Sequence, residues 1–256
     1  MEARREVRSS LAAGAAIRLD LNNNLEQLNE FRPRSILPVR SDIDLFAERR
    51  LSLDRLYLSY LKTLQTDLHV GLTGGYLEEQ YAGLGSEVLY RPFGKNWAVG
   101  AEAWQVFKRD PNSSLNMNLT VDSLLSGHVN AWWRPSSAPN TVFQARAGRY
   151  LGEDLGASLS LTHLFQNGAE LSGFVTVSDK SEFDVFGKDT HLYHGLRLSV
   201  PIGSFPLISR NSRIDVIAEP FGRDTGQALD KPVDLYRLTE PFSLQHMTQH
   251  WGDILE

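Results

Sequence analysis

From residue 54 to about 238 the sequence renews a period-two alternation of apolar and polar residues in one short segment after another. In 68–76 one face carries Leu68, Val70, Leu72, Gly74 and Tyr76, while the other begins with His69, Gly71, Thr73 and Gly75. Further along, Ala157, Leu159, Leu161, His163 and Phe165 oppose Gly156, Ser158, Ser160 and Thr162. The next segment sets Ala169, Leu171, Gly173, Val175 and Val177 against Glu170, Ser172, Phe174 and Thr176. No stretch here sustains the i, i+3, i+4, i+7 spacing of an amphipathic helix, so the chain is expected to be all-β. Segments bounded by Gly, Pro, Asn or Asp give about twelve antiparallel strands: 54–64, 67–77, 80–91, 96–107, 114–121, 126–134, 141–150, 155–165, 168–178, 192–200, 212–220 and 232–238.

A soluble sandwich and a membrane barrel both alternate, and they differ in their polar face. The sandwich loads it with Lys and Glu for water; the barrel turns it inward, where Gly, Ser, Thr and Asn fit beside a few charges. Here Gly, Ser, Thr and Asn prevail, and Tyr57, Tyr60, Tyr76, Tyr90, Phe93, Trp97, Trp132, Trp133, Phe143 and Tyr150 gather near strand ends, as interfacial girdles do. The expectation is an antiparallel membrane β-barrel of about twelve strands, with a β-sandwich whose aromatics belong to an ordinary core as the rival. A mean hydropathy of -0.29 permits membrane strands, and no apolar run is long enough for a transmembrane helix.

The remaining composition removes function classes. With 26 basic and 31 acidic residues spread without blocks, and a net charge of -5, the chain has no basic footprint for nucleic acid. Without cysteine, thiol catalysis, disulfides and cysteine-ligated metals are excluded. No P-loop, dinucleotide fingerprint or nucleophile elbow occurs, and no cofactor is expected. Residues 1–53 read as a polar connecting or plug-like region in which 11–17 form a β-segment rather than a secretory signal. Residues 54–240 form the β-domain and 241–256 a polar tail.

Four stretches, RSILPVRSDIDLF at 34–46, GGYLEEQYAGLGSEVLYRPFGKNWAVGAEAWQVFKRD at 74–110, GRYLGEDLGASLSLTHLFQNGAELSGFVTVSD at 148–179 and HGLRLSVPIGSF at 194–205, resemble the C-terminal region of the YjbH family of exopolysaccharide-associated outer-membrane proteins. The resemblance implies a β-barrel in the outer membrane of a Gram-negative envelope, a non-enzymatic component of exopolysaccharide biosynthesis, assembly or export. The implied partners are extracellular polysaccharide, outer-membrane lipids, and periplasmic and lipoprotein components of the same system. It supplies no catalytic residues. Family members are several times longer, so the chain reads as the C-terminal portion of a longer protein.

Candidate site residues follow from alternation. A two-residue turn at Phe93-Gly94 would pair Val88 with Val99, Tyr90 with Trp97 and Leu84 with Ala103 on the outward surface. Inward, Gly83 would face Trp104, Gly85 would face Glu102, and Glu87 would face Gly100, which sets Glu87 and Glu102 diagonally, roughly 7–8 Å apart. That overlaps the roughly 6.5–9.5 Å of an inverting glycosidase, so the alternative function is a periplasmic or secreted β-sandwich that binds polysaccharide or hydrolyses it with these two acids; as ordinary lumen charges they need no such role. Arg91, Arg146 and Arg197 also fall inward, with Gln144 beside Arg146, while Trp104 and Tyr81 offer stacking surfaces to a sugar. The alternative is that these arginines pair with lumen acids and stiffen the wall. Glu78 and Glu79 read as solvated turn acids, and His191/His194 and His246/His250 as pairs lacking a third metal ligand.

Overall fold

The computed structural model describes residues 2–8, 10–25, 35, 38–183, 187–203, 212–244 and 247. One antiparallel sheet holds twelve strands, each bonded to its neighbours in chain order. They are β1 (Glu2–Arg8), β2 (Leu11–Leu19), β3 (Leu51–Gln65), β4 (Leu68–Tyr76), β5 (Tyr81–Tyr90), β6 (Trp97–Arg109), β7 (Leu119–Trp133), β8 (Thr141–Arg149), β9 (Leu155–Leu164), β10 (Glu170–Phe183), β11 (Asp189–Pro201) and β12 (Arg213–Ala218). The all-β class and the antiparallel meander stand as the alternation implied, and 11–19 is a strand.

The strands are differently distributed from the sequence reading. The sheet begins at residue 2, inside the region assigned to a connection. Residues 119–121 and 126–133 of two expected segments belong to one strand, β7, whose pairing with β6 runs on through Phe107↔Ser123 and, past a bulge, to Arg109↔Leu119, while Ser114–Asn116 forms a single 3-10 turn. Residues 232–238 are no strand: Asp234 accepts a hydrogen bond from the Arg237 amide at 3.0 Å and caps a one-turn helix, Leu235–Thr239.

The assigned faces persist, but they are inverted relative to a soluble protein. Outward residues are apolar and exposed, among them Leu84 (64%), Val129 (61%), Leu159 (62%) and Leu196 (58%). Inward residues are Ser59, Thr73, Glu102, Ser126, His128, Asn130 and Thr176, all buried. The core therefore lies on the polar face, as two small apolar clusters near opposite ends of the strands. Val39, Leu77, Tyr81, Trp104, Val106 and Leu151 form one; Leu89, Ala98, Trp132, Val142 and Leu235 form the other.

Two segments outside the strands fill the concave side. The first is residues 38–48 with the short helix Ile43–Ala47. Phe46 in it is fully buried, and Tyr81 donates to the Val39 carbonyl at 3.1 Å. The second, residues 219–243, runs lengthwise as a strap. At one end of the sheet the Gly226 amide donates to Asp154 in the β8–β9 turn (2.7 Å), and midway Lys231 reaches β5 and β6. At the other end Arg91 donates to the Tyr236 carbonyl (2.9 Å), and Leu244 lies beside Gly94 in the β5–β6 turn. Because the strap meets inner-face residues from β3 (Arg55 with Asp230) to β10 (Glu170 with Arg237), the sheet curves around it.

The β5–β6 hairpin carries a register correction. Lys95 donates to the Pro92 carbonyl (3.1 Å) and Gly94 has φ +77°, so the turn is where Phe93-Gly94 placed it. The flanking residues bond sideways instead of to each other: the Arg91 amide donates to Asp67, and the Asn96 carbonyl accepts from the Arg134 amide. The β5–β6 ladder consequently starts at Tyr90↔Val99, two residues from the expected register. A slip of two preserves faces, so Trp104 sits opposite Gly85 and Glu87 directly opposite Glu102.

The Gly85–Trp104 pairing makes a stability prediction. A Cβ at Gly85 would collide with the indole, which packs in the Val39–Leu151 cluster. Gly85→Val is expected to lower stability by about 1–3 kcal/mol through overpacking, read as a lower urea midpoint by tryptophan fluorescence. An unchanged midpoint would mean that the indole does not rest on Gly85.

Candidate functional site

Glu87 and Glu102 meet across the β5–β6 ladder, with Lys231 of the strap between them. The ammonium donates to Glu87 Oε1 at 2.9 Å and to Glu102 Oε2 at 2.8 Å, and it lies 3.2 Å from Asp234. Glu87 also accepts from the Leu235 amide (3.2 Å), and Glu102 Oε1 lies 3.2 Å from His128 Nδ1. Burial alone would depress the Lys231 pKa, but Asp234, Glu102 and Glu87 outweigh it and hold the group above the ordinary lysine value. The two acids are thus not the diagonal pair that the shorter turn implied. They clamp a strap lysine that alternation could not reveal, because Lys231 lies in a turn-like DKPVD stretch far away in sequence.

The other candidates divide. Arg91 belongs to the strap contact: besides Tyr236 it donates to Thr239 Oγ1 (3.3 Å) and Glu240 Oε2 (2.6 Å), and its guanidinium lies 4.5 Å from the Tyr236 ring centre. Arg134, on the same Glu240 carboxylate, was missed. Trp104 and Tyr81 are buried beneath Val39, which removes them as stacking surfaces. Glu78 and Glu79 are not solvated: Glu78 is 3% exposed and takes Arg40 at 2.9 Å and the Asp230 amide at 2.7 Å, while Glu79 pairs with Arg18.

Asp224 ties the two inner segments together. Its Oδ1 accepts the consecutive amides of Val39 (2.9 Å), Arg40 (2.7 Å) and Ser41 (2.8 Å), and its Oδ2 accepts the Ser41 hydroxyl at 2.8 Å. Such converging donors satisfy a carboxylate well. The sequence signal is the Gly-Arg-Asp-Thr-Gly run at 222–226, which reads only as a turn.

Arg146 and Arg197 open onto a cavity of about 930 Å³ bounded by the strap, the inner face of β7–β12, and Arg40 and Ile43 of the first inner segment with Asp54 of β3 and Glu78–Gln80 of the β4–β5 turn. Its wall carries Gln144, Ser158, Ser160, Thr162, Ser172 and Ser199, and Trp132 lines it with its ring stacked on Tyr236 (4.6 Å between centres, 6° between planes). Arg197 pairs with Asp215 at 2.8 Å. Arg146 donates through Nε to Asn130 Oδ1 at 3.0 Å, and Gln144 donates to the same oxygen at 3.0 Å. Among the described residues no three His, Asp or Glu side chains gather as metal ligands, and His246 and His250 lie outside them, as does most of the 241–256 tail. The cavity can therefore offer hydroxyls, amides and a guanidinium to a polar guest.

Comparison with known proteins adds what the geometry lacks. Residues 1–241 match the family model described as "Exopolysaccharide biosynthesis protein YbjH". The chain belongs to the YjbH family. It is 33% identical over 229 residues to the protein named "Uncharacterized lipoprotein YjbH" of Escherichia coli K12, an alignment covering 88% of this chain and 32% of that protein. The chain thus spans about a third of its YjbH relative. The matched region takes in β1, β2 and nearly the whole strap, so the YjbH likeness extends beyond the four recognised stretches, which lie between 34 and 205.

Proposed function

We propose that this chain is a membrane-spanning β-barrel of the outer membrane, a non-enzymatic component of exopolysaccharide assembly or export. The observation that carries the reading is the inverted sheet: apolar residues cover the outer face of nearly every strand, and hydroxyls, amides and ion pairs occupy the inner one. A contiguous apolar surface of this extent is a liability in water and a requirement in hydrocarbon. Strand lengths of 9, 10, 9 and 10 residues in β4, β5, β8 and β9 suit a tilted bilayer crossing. Exposed Tyr90, Phe93, Trp97, Trp133, Phe143 and Phe165 line one end of β5–β9, as an interfacial girdle would. Among the described residues no helix is long and apolar enough to cross a membrane.

The family description supports the exopolysaccharide pathway, and the lipoprotein name of the relative supports an envelope location. The partners in this reading are the extracellular polysaccharide, outer-membrane lipids, and periplasmic and lipoprotein components of the same system. Lys231 supports a structural role for Glu87 and Glu102, since both proposed glycosidase acids already hold one ammonium.

Extraction should require detergent, and unheated samples should migrate differently from boiled ones on a denaturing gel. A monodisperse protein released without detergent, of unchanged mobility on boiling, would refute the membrane reading.

A further inference from the structure

Among the described residues, six of the seven arginines lining the cavity have a carboxylate within ion-pair distance; Arg146 has none. It is nevertheless held in place. Buried Asn130 accepts its Nε–H, and no hydrogen bond within the described protein occupies its terminal nitrogens. A fixed guanidinium with a free fork matches a carboxylate bidentately. Beside it on β9, Ser158 lies directly in register, and Ser160 follows one row away, opposite Gln144. A hydroxyl chain runs from Tyr150 through Ser158 to Thr176.

We propose that the cavity binds a carboxylate-bearing saccharide, a uronic acid or its equivalent, with the carboxylate on Arg146 and ring hydroxyls on Ser158, Ser160 and Gln144. This deepens, and rests on, the reading of the chain as a barrel that handles exopolysaccharide. Size agrees: about 930 Å³ lies within the roughly 300–1,000 Å³ of small-ligand sites. So does chemistry, because a uronate presents both groups that this wall answers. Trp132, opposite Gln144 in the ladder and lining the same cavity, offers an apolar edge to a sugar ring. Acids also line this cavity, nine in all, but eight of them are ion-paired within the described protein, and the ninth, Glu219, follows β12, four strands from Arg146, roughly 19 Å along the wall at about 4.8 Å per strand. Glu102, across β7, is bonded to Lys231.

The test is calorimetric titration of the full chain in detergent with trigalacturonate, with maltotriose and inorganic phosphate as parallel probes, for wild type and Arg146→Gln. Heat-modifiable mobility of both proteins, measured first, establishes the barrel independently of any ligand. The expected result is binding of trigalacturonate in preference to both other probes, weakened about tenfold or more in Arg146→Gln. Equal binding of trigalacturonate by the two proteins overturns the proposal. So does maltotriose or phosphate binding as well as trigalacturonate, or no binding by wild type. In each of those cases a retained mobility shift leaves the barrel reading standing.

Discussion

Replacing Lys231 with methionine is expected to destabilise the folded protein by roughly 3–5 kcal/mol and to release the strap from the sheet. Methionine keeps the length and removes the charge. What remains is Glu87 opposite Glu102 on a buried ladder, a like-charge pair whose common cation is gone. The strap would also lose its midway attachment, exposing buried Arg223 to trypsin. The measurements are the urea midpoint and the rate of tryptic cleavage. The cause can be separated from lost packing: Lys231→Met combined with Glu87→Gln and Glu102→Gln should recover most of the loss, because neutral amides can face each other. A triple variant no more stable than the single one would sink the clamp. For the wild type, the raised Lys231 pKa fixes the direction of the pH response. The lysine's contribution is fully present below its unfolded value and is lost only as pH rises through the higher folded value, so the attachment holds at neutral pH.

Asp224→Ala should be nearly as damaging, by about 3 kcal/mol or more, since it strands three consecutive backbone amides and a serine hydroxyl together. Asp224→Asn keeps one carbonyl oxygen that can face the amides but loses the charge, so it should fall between alanine and wild type. Hydrogen exchange at residues 39–41 reads the effect locally, with faster exchange in alanine than in asparagine. Equal protection in all three proteins would show that other groups hold this segment.

What the sequence disclosed follows from the ranges involved. Period-two alternation is a local property, so the faces of Leu84, Val88, Glu87 and Glu102 were legible and survived even a two-residue error in register. The register itself depended on where Arg91 and Asn96 send their backbone bonds, to Asp67 in the β3–β4 turn and to Arg134 just past β7, and no hairpin rule contains that information. The strap was illegible for a stronger reason. Its residues are irregular and polar, and their partners lie far off: Asp230 meets Glu78 across 152 positions, and Lys231 meets Glu102 across 129. Trp104 looked available because alternation pointed it inward; that Val39 would cover it depended on a segment with no periodicity at all. Arg146 was placed inward correctly, but only the ion pairs of its neighbours reveal that it lacks one.

The lengthwise strap also constrains the order of assembly. It follows β12 in the chain, yet strands β3 to β11 are arranged around it, so a segment synthesised after all twelve strands has to occupy the middle of the product. Early strands can pair with their neighbours as they emerge, but until residues 219–243 arrive Glu87 faces Glu102 without a cation and Gly71 lacks Leu235 beside it. Final curvature is therefore a late event with long sequence separations, which is inherently slow. A chain stopped short of residue 231 would hold the strands and lack the countercharge that lets them settle.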